Sequence, residues 1–387
     1  MEEPRSTAPD RLSPGPAEAG ASVRPYAEAA APEPPAAGLR VADELLRRYG
    51  LGSPLKAEVV SSGLLNQNLT AVTARGSFFL KGYRYPDPAR IEREHRLIAY
   101  VAGRGLPAVA PLPAPGGATF LRVGGRLWAV FDLLRDAQYA PPALTAAHAA
   151  EMGRTLGRLH AALAELPPPE AARFPPKLLW DSARAAAEMA AYEAAIARRP
   201  ALDPFDQHAL ASFAYRRTLL AAGVPPPSAF AGLPAHLLHG DYHERNLFFG
   251  AGGAVSGIVD WELAGAGPRA WEIIRTLDVA LELSREFEAG GARWRAFLAA
   301  YAAEAPLTYD ECTAMPELYW AARVHSLWVY EEHYRRAPRG LPVRTDRVAM
   351  EDIAGLEWWL RHRTDLALAL ADAVRGARPR LRVMSDE

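Results

Sequence analysis

The chain has a single cysteine, Cys312, in 387 residues. One thiol closes no internal disulfide and builds no Cys-rich zinc site, so a reducing, cytoplasmic setting is expected. A surplus of charge is also missing. Forty-four basic side chains stand against 45 acidic ones, a formal net charge of −1. Gripping nucleic acid over a whole surface takes a strong positive excess, so no nucleic-acid partner is expected. No run of 18 uncharged apolar residues occurs, so neither a transmembrane helix nor a membrane partner is expected. The start, Met1-Glu2-Glu3-Pro4, lacks the basic and apolar regions of a signal peptide. Internal repeats are missing too, and oligomeric state cannot be read. What is abundant is apolar residue, 50% of the chain against 23% charged, enough for a large core in two packed lobes.

Residues 1–38 differ from the rest. They hold eight prolines among Ala, Glu and Ser, and few large apolar groups. Such a composition cannot offset the entropy of ordering, so a disordered tail is expected. From Leu39 the pattern is regular. Leu39, Ala42, Leu45, Leu46 and Tyr49 fall at helical spacing and Gly50 is a stop signal. Ala57–Ser61, Leu69–Thr73 and Ser77–Tyr83 read as an antiparallel meander, followed by a helix over Pro88–Gly103. Strands over Thr119–Val123 and Arg126–Leu133 are joined by Gly124-Gly125, a hairpin signal. From Ala143 onward the pattern is mainly helical. It is interrupted by two strands, Leu237–His239 and Val255–Val259, read as a hairpin. Leu277, Leu281, Leu298, Leu318, Val324, Leu327 and Trp328 are the expected core positions of the last helices.

The chemistry-bearing stretch is His239-Gly240-Asp241-Tyr242-His243-Glu244-Arg245-Asn246, with Gly257-Ile258-Val259-Asp260-Trp261-Glu262 following after a loop. Apolar strands there deliver two carboxylates and an amide to one edge. Such hard oxygen donors suit Mg²⁺, which also binds phosphate oxygens. Reading His239, Asp241 and His243 as a metal-hydrolase cluster leaves Asn246 and Asp260 unused and supplies no third histidine.

The pattern H-G-D-x-x-x-x-N, an apolar strand, then I-D-W-E resembles the catalytic segment of the aminoglycoside phosphotransferase and choline kinase superfamily, including its homoserine-kinase-like members. The resemblance covers about residues 39–370. It implies an α+β, bilobal protein-kinase-like fold. Residues 39–134 would form a small antiparallel β lobe with one inserted helix that binds the nucleotide. Residues 135–387 would form the larger, mainly α-helical catalytic and substrate-binding lobe. It also implies transfer of the γ-phosphoryl of ATP, with GTP an open alternative, to a small-molecule hydroxyl acceptor. Asp241 would be the catalytic base, and Asn246 and Asp260 would hold Mg²⁺. Lys81, in Phe78-Phe79-Leu80-Lys81, would fix the α- and β-phosphates, paired with Glu94 rather than Glu92.

The loop Ser61–Asn68 would cover the phosphates through Gly63 and Asn66, in a G-x-x-N-x-N arrangement. Its asparagines either donate to phosphate or cap a turn. The Asp132 carbonyl and Leu134 N–H would meet the nucleobase. His160, in Leu156-Gly157-Arg158-Leu159-His160, matches a family helix, although a lone helical histidine is usually a packing residue. Glu272 stands where the family more often has Asp. The acceptor reads as an aminoglycoside, amino sugar or amino alcohol. Asp278, Glu282, Glu286, Glu288, Glu317, Glu331 and Glu332, with Trp294, Trp320, Trp328 and Tyr330, are candidates for recognising it, or else ordinary helix surface and core. A non-catalytic kinase-like binding module is the alternative from another functional class.

Overall fold

The computed structural model describes residues 35–60, 67–139, 143–167, 170, 173, 176–336, 350 and 352–377. All fall in one compact unit, Glu33–Glu387. The tail expected over 1–38 lies outside the described residues as far as residue 34.

The amino-terminal lobe runs α1 (Pro35–Arg48), β1 (Lys56–Val60), β2 (Gln67–Thr73), β3 (Gly76–Tyr83), α2 (Pro88–Ala102), β4 (Leu121–Val123) and β5 (Arg126–Asp132). The strands form one antiparallel sheet in the order β1-β2-β3-β5-β4, with α2 inserted after the third strand as expected. Val123 faces Arg126 across the Gly124-Gly125 turn. The first helix begins at Pro35, four residues before the expected Leu39.

The period of two along β3 positions the site. Phe78 and Leu80 point to one face and pack with Leu45 and Leu46 of α1 and with Tyr49 just after it. Burial of each of these leucines contributes roughly 1.5–3 kcal/mol. Phe79 and Tyr83 point to the other face, with Ile91 of α2. Lys81 has the same parity as Phe79 and Tyr83, so its ammonium is delivered to the α2 side. Helix α2 is started by the Asp87 carboxylate, which accepts from the Arg90 N–H at 3.1 Å, and by Pro88 in its first turn. Its buried face carries Ile91, Glu94, His95, Leu97, Ile98 and Val101, while Glu92 is exposed.

His95 sits in that face between two hydroxyls, Tyr83 on Nε2 and Thr119 on Nδ1, both at 2.7 Å. Burial, then the Lys81 charge, pushes its imidazole from 6.5 down to about 3. Between those values the unfolded chain binds a proton that the folded chain refuses, so stability falls as pH drops below 6.5. By linkage His95 alone removes roughly 2 kcal/mol by pH 5. Denaturant titrations at pH 7 and pH 5 should show this loss, and His95→Gln should flatten it. An unchanged pH slope in that variant would exclude His95 as the cause.

The carboxyl-terminal lobe contains α3 (Ala146–Ala164), α4 (Ser182–Ile196), α5 (Pro204–Ala222), β6 (Ala235–Leu238), β7 (Leu247–Phe249), β8 (Val255–Ile258), β9 (Gly265–Pro268), α6 (Arg269–Leu281), α7 (Ala292–Glu304), α8 (Tyr309–His325) and α9 (Asp352–Ala377). Helix α3 lies backbone-close to α7. A Cβ on Gly153 would overlap the Phe297 carbonyl, so only glycine permits this approach. The main core joins α3, α6, α7, α8 and α9, with Leu277, Leu281, Leu298, Leu318 and Val324 all buried. Leu327 is buried as well.

Two expectations are corrected. The strands at 237–239 and 255–259 do not pair with each other. β6 pairs with β9 and β8 with β7, giving two separate two-stranded sheets. The partner of β6 is Gly265-Ala266-Gly267-Pro268, a sequence with almost no strand propensity, which hid it. Trp328 is not core but 47% exposed, because Val329 and Tyr330 take the buried positions of that turn. No helix among the described residues is long and apolar enough to cross a membrane.

Candidate active site

Lys81 is almost fully buried, and an unpaired ammonium there would be costly. Three carboxylates surround it: Asp260 at 3.0 Å, Glu94 at 3.5 Å and Glu262 at 3.7 Å. Burial works against the charge, but Glu94, Asp260, Tyr83 and Glu262 hold its pKa well above the usual lysine value. Glu94 is itself steadied by the Tyr85 hydroxyl, which donates at 3.0 Å. Asp260 adopts the left-handed conformation, φ 64° and ψ 65°. For a residue with a Cβ that conformation costs roughly 1–3 kcal/mol. It turns an exposed carboxylate toward the buried lysine.

The loop after β6 is clamped from two sides. His239 is fully buried, and burial pushes its imidazole below the usual value. Its Nδ1 faces the Asp241 N–H at 3.2 Å and its Nε2 faces the Val259 carbonyl at 3.0 Å. The first contact needs an acceptor and the second a donor, which selects the neutral Nε2–H tautomer. One ring therefore ties the Asp241 loop to the strand end carrying Asp260. Gly240 follows with φ +85°, and a Cβ there would overlap the Leu263 carbonyl, so the loop requires glycine.

The second clamp is one face of α6. Glu272 is buried and accepts from the backbone N–H groups of His239 (3.0 Å) and Gly240. It also meets His160 Nε2 at 2.9 Å, and His160 Nδ1 meets the Tyr301 hydroxyl at 2.8 Å. His160 is thus the buried packing residue expected of a helical histidine, with an added task of seating Glu272. Arg275 pairs with Asp241, and the Thr276 hydroxyl donates to the Tyr242 carbonyl at 2.7 Å. Residues 272, 275 and 276 share a helix face and grip residues 239–242 in order.

Both Asp241 oxygens are engaged. Oδ1 meets Arg275, while Oδ2 meets the Asn246 amide at 3.2 Å and His243 at 3.4 Å. Burial alone would raise this carboxyl, but Arg275 and then His243 and His239 hold it far below the usual range. The Asn246 amide nitrogen also donates to the Asp241 carbonyl at 2.9 Å. That leaves its Oδ1 as an oxygen donor. Asp132 ends β5 opposite Phe78. No described residue accepts from the Leu134 N–H. Gly63 and Asn66 lie outside the described residues.

Sequence reasoning missed two basic residues here, Arg275 and Lys177. The spacing Glu272-x-x-Arg275 was a signal for the first. Lys177 had none, because it arrives from the segment before α4, where its N–H donates to the Ala266 carbonyl at 2.7 Å. Among the acids considered for acceptor recognition, Asp278 pairs with Arg323 at 3.0 Å, Glu282 with Arg285 at 2.6 Å, Glu286 with Arg293 at 2.9 Å and Glu317 with Arg363 at 2.9 Å, while Glu288 accepts from the Trp358 indole at 3.3 Å. Trp294 and Trp320 are buried.

Comparison with known proteins agrees with this architecture. The sequence model described as a phosphotransferase enzyme family matches residues 56–311. A homoserine kinase of Caulobacter vibrioides (strain NA1000 / CB15N) is 26% identical over 308 residues, covering 78% of this chain and 89% of that protein. A homoserine kinase of Rhodopseudomonas palustris (strain BisB18) is 29% identical over 307 residues, covering 78% and 86%. Among solved structures, a microcompartment-associated aminopropanol kinase superposes with a TM-score of 0.61 at 16% identity, covering 86% of this chain and 99% of that one. A spectinomycin phosphotransferase in complex with ADP and spectinomycin superposes with a TM-score of 0.57 at 13% identity, covering 87% and 98%. At these identities the structures establish a shared kinase-like fold.

Proposed function

The chain belongs to the phosphotransferase enzyme family, and on that premise we propose that it transfers the γ-phosphoryl of ATP, with GTP an alternative donor, to a hydroxyl of a small molecule bearing an amino group. The observation that carries this reading is the contact of the buried Lys81 with Asp260 at 3.0 Å, 179 residues away in sequence. A lysine braced by a helix glutamate and facing an exposed aspartate suits a phosphate and metal site better than a structural ion pair.

In this reading Lys81 holds the α- and β-phosphates, and Glu94 keeps it aimed. The Asp132 carbonyl and the Leu134 N–H pair with the nucleobase edge. Asn246 Oδ1 and the Asp260 carboxylate fit Mg²⁺: both are hard oxygens, and that ion takes only one or two protein ligands beside phosphate. When bound, the ion neutralises charge on the transferring group. The acceptor oxygen forms its bond to the γ-phosphorus as the bond to the bridging oxygen breaks and ADP leaves. Asp241 orients the acceptor O–H and takes its proton. A carboxylate of such low pKa is a poor base, but a loose transition state asks for aim rather than basicity.

Thermal unfolding tests nucleotide use directly. Mg-ATP at about 100-fold over its Kd should stabilise the protein by roughly 2.7 kcal/mol, a rise of a few degrees in Tm. Chelating the metal should remove most of that rise. No shift with either Mg-ATP or Mg-GTP would refute the reading and leave a kinase-like binding module.

A further inference from the structure

Three basic side chains for which phosphoryl transfer has no task gather at the Asp241 end of the cleft. Arg275 occupies Oδ1 of Asp241, the oxygen facing away from Asn246. Lys177 lays its ammonium against Gly240, 2.6 Å from where a Cβ would stand. No described residue accepts a hydrogen bond from that ammonium. Arg90 comes from the other lobe. It donates to the Glu262 carbonyl at 2.9 Å and lies over the Tyr85 ring at 4.0 Å. The next carbonyl, that of Leu263, also abuts Gly240, so Arg90 and Lys177 both come close to the loop at Gly240.

Like charges brought together in a half-buried place repel one another unless an anion joins them. The nearby carboxylates are already committed. Asp241 is bound by Arg275, Asn246 and His243, and Glu272 by His160 and two backbone N–H groups. Burial, together with the charges of Arg275 and Arg90 and against the pull of Glu272 and Asp241, lowers Lys177 to about 8. That is the direction expected of an ammonium short of counter-charge. The nucleotide phosphates do not supply it in the reading above, since they belong with Lys81 and Asp260.

We propose that Lys177 and Arg275, with Arg90 beside them, form an anion pocket for the acceptor, and that the acceptor is therefore a hydroxy compound bearing a carboxylate. This rests on the phosphotransferase reading and names its substrate class. The carboxylate binds the Lys177 ammonium and the free edge of the Arg275 guanidinium, a planar fork suited to such a group. Its hydroxyl then reaches Asp241. A polycationic acceptor would meet repulsion at the same place, and four acids that would have attracted it, Asp278, Glu282, Glu286 and Glu317, are paired with arginines.

Matched acceptors that differ only by a carboxylate provide the test. L-homoserine is set against 3-aminopropan-1-ol, and L-threonine against 1-aminopropan-2-ol, with ADP release followed at saturating Mg-ATP. The carboxylated member should have a kcat/KM at least tenfold higher in one pair or both. Lys177→Met should erase most of that preference through the acceptor KM, with the KM for Mg-ATP changing less than twofold, and Lys177→Arg should restore it. If neither pair is turned over, calorimetric titration of the same four compounds into protein with Mg-AMP-PNP decides. Binding confined to the carboxylates supports the pocket. Equal binding, or none by the carboxylates, overturns it. An amino alcohol used as well as its acid overturns the pocket while leaving the kinase reading intact. An effect of Lys177→Met on the KM for Mg-ATP instead of the acceptor also overturns it. Loss of the nucleotide thermal shift is read separately and refutes the kinase reading.

Discussion

Asp241→Asn should lower turnover by roughly 10²- to 10⁴-fold, the usual worth of a positioned acid or base. The substitution keeps the shape of the side chain and removes its charge. In the proposed role, the acceptor hydroxyl would then face a neutral amide that cannot take its proton and aims it poorly. Affinity for Mg-ATP should stay within a few-fold, because the Lys81–Glu94–Asp260 cluster is untouched. Steady-state kinetics with calorimetric nucleotide titration separates the two quantities. Asp260→Ala is the contrasting variant: it should weaken nucleotide binding as well as turnover, since it removes the exposed partner of Lys81 and a ligand proposed for the metal. Normal turnover by Asp241→Asn in a purified assay would end the assignment of that residue.

The second large effect is expected at a residue that touches no substrate. Glu272→Ala should cost about 3–5 kcal/mol in denaturant titrations, the range for breaking a buried charged network on one side. The lost carboxylate leaves the His239 and Gly240 N–H groups buried without an acceptor, each worth about 1–3 kcal/mol unsatisfied. It also strands His160, itself fully buried. The loop over residues 239–242 should loosen with it, so kcat should fall even under conditions where the variant is folded. A destabilisation below about 1 kcal/mol would mean that water or a neighbour replaces the carboxylate and that the clamp is dispensable.

Legibility in the sequence varied with the range of the interaction. The meander, the inserted helix and the Gly124-Gly125 hairpin were readable because each depends on neighbours a few residues apart. The choice of Glu94 over Glu92 came from the resemblance, whose spacing Glu94-x-x-Leu97-Ile98 matches, and the structure buries Glu94 while leaving Glu92 exposed. The pairing of β6 with Gly265–Pro268 was not readable, because that segment forms a strand only when a partner edge is already in place. Trp328 misled because its apolar character was read without the turn that rotates Val329 and Tyr330 inward instead. Gly63 and Asn66 lie outside the described residues.

By itself the sequence determined the kinds of groups present and their order along the chain: a strand lysine, a helix glutamate, a loop carrying Asp241 and Asn246, and a second acid at Asp260. Local period and turn chemistry are written in short windows, and the motif spacing is a short-window property too. Tertiary structure alone decided which cations stand beside Asp241, that His239 ties two loops together, and that Glu272, Arg275 and Thr276 hold residues 239–242 in register. Those contacts span some thirty to a hundred residues. Their geometry depends on how closely α3, α6 and α7 pack, and no local periodicity encodes that separation.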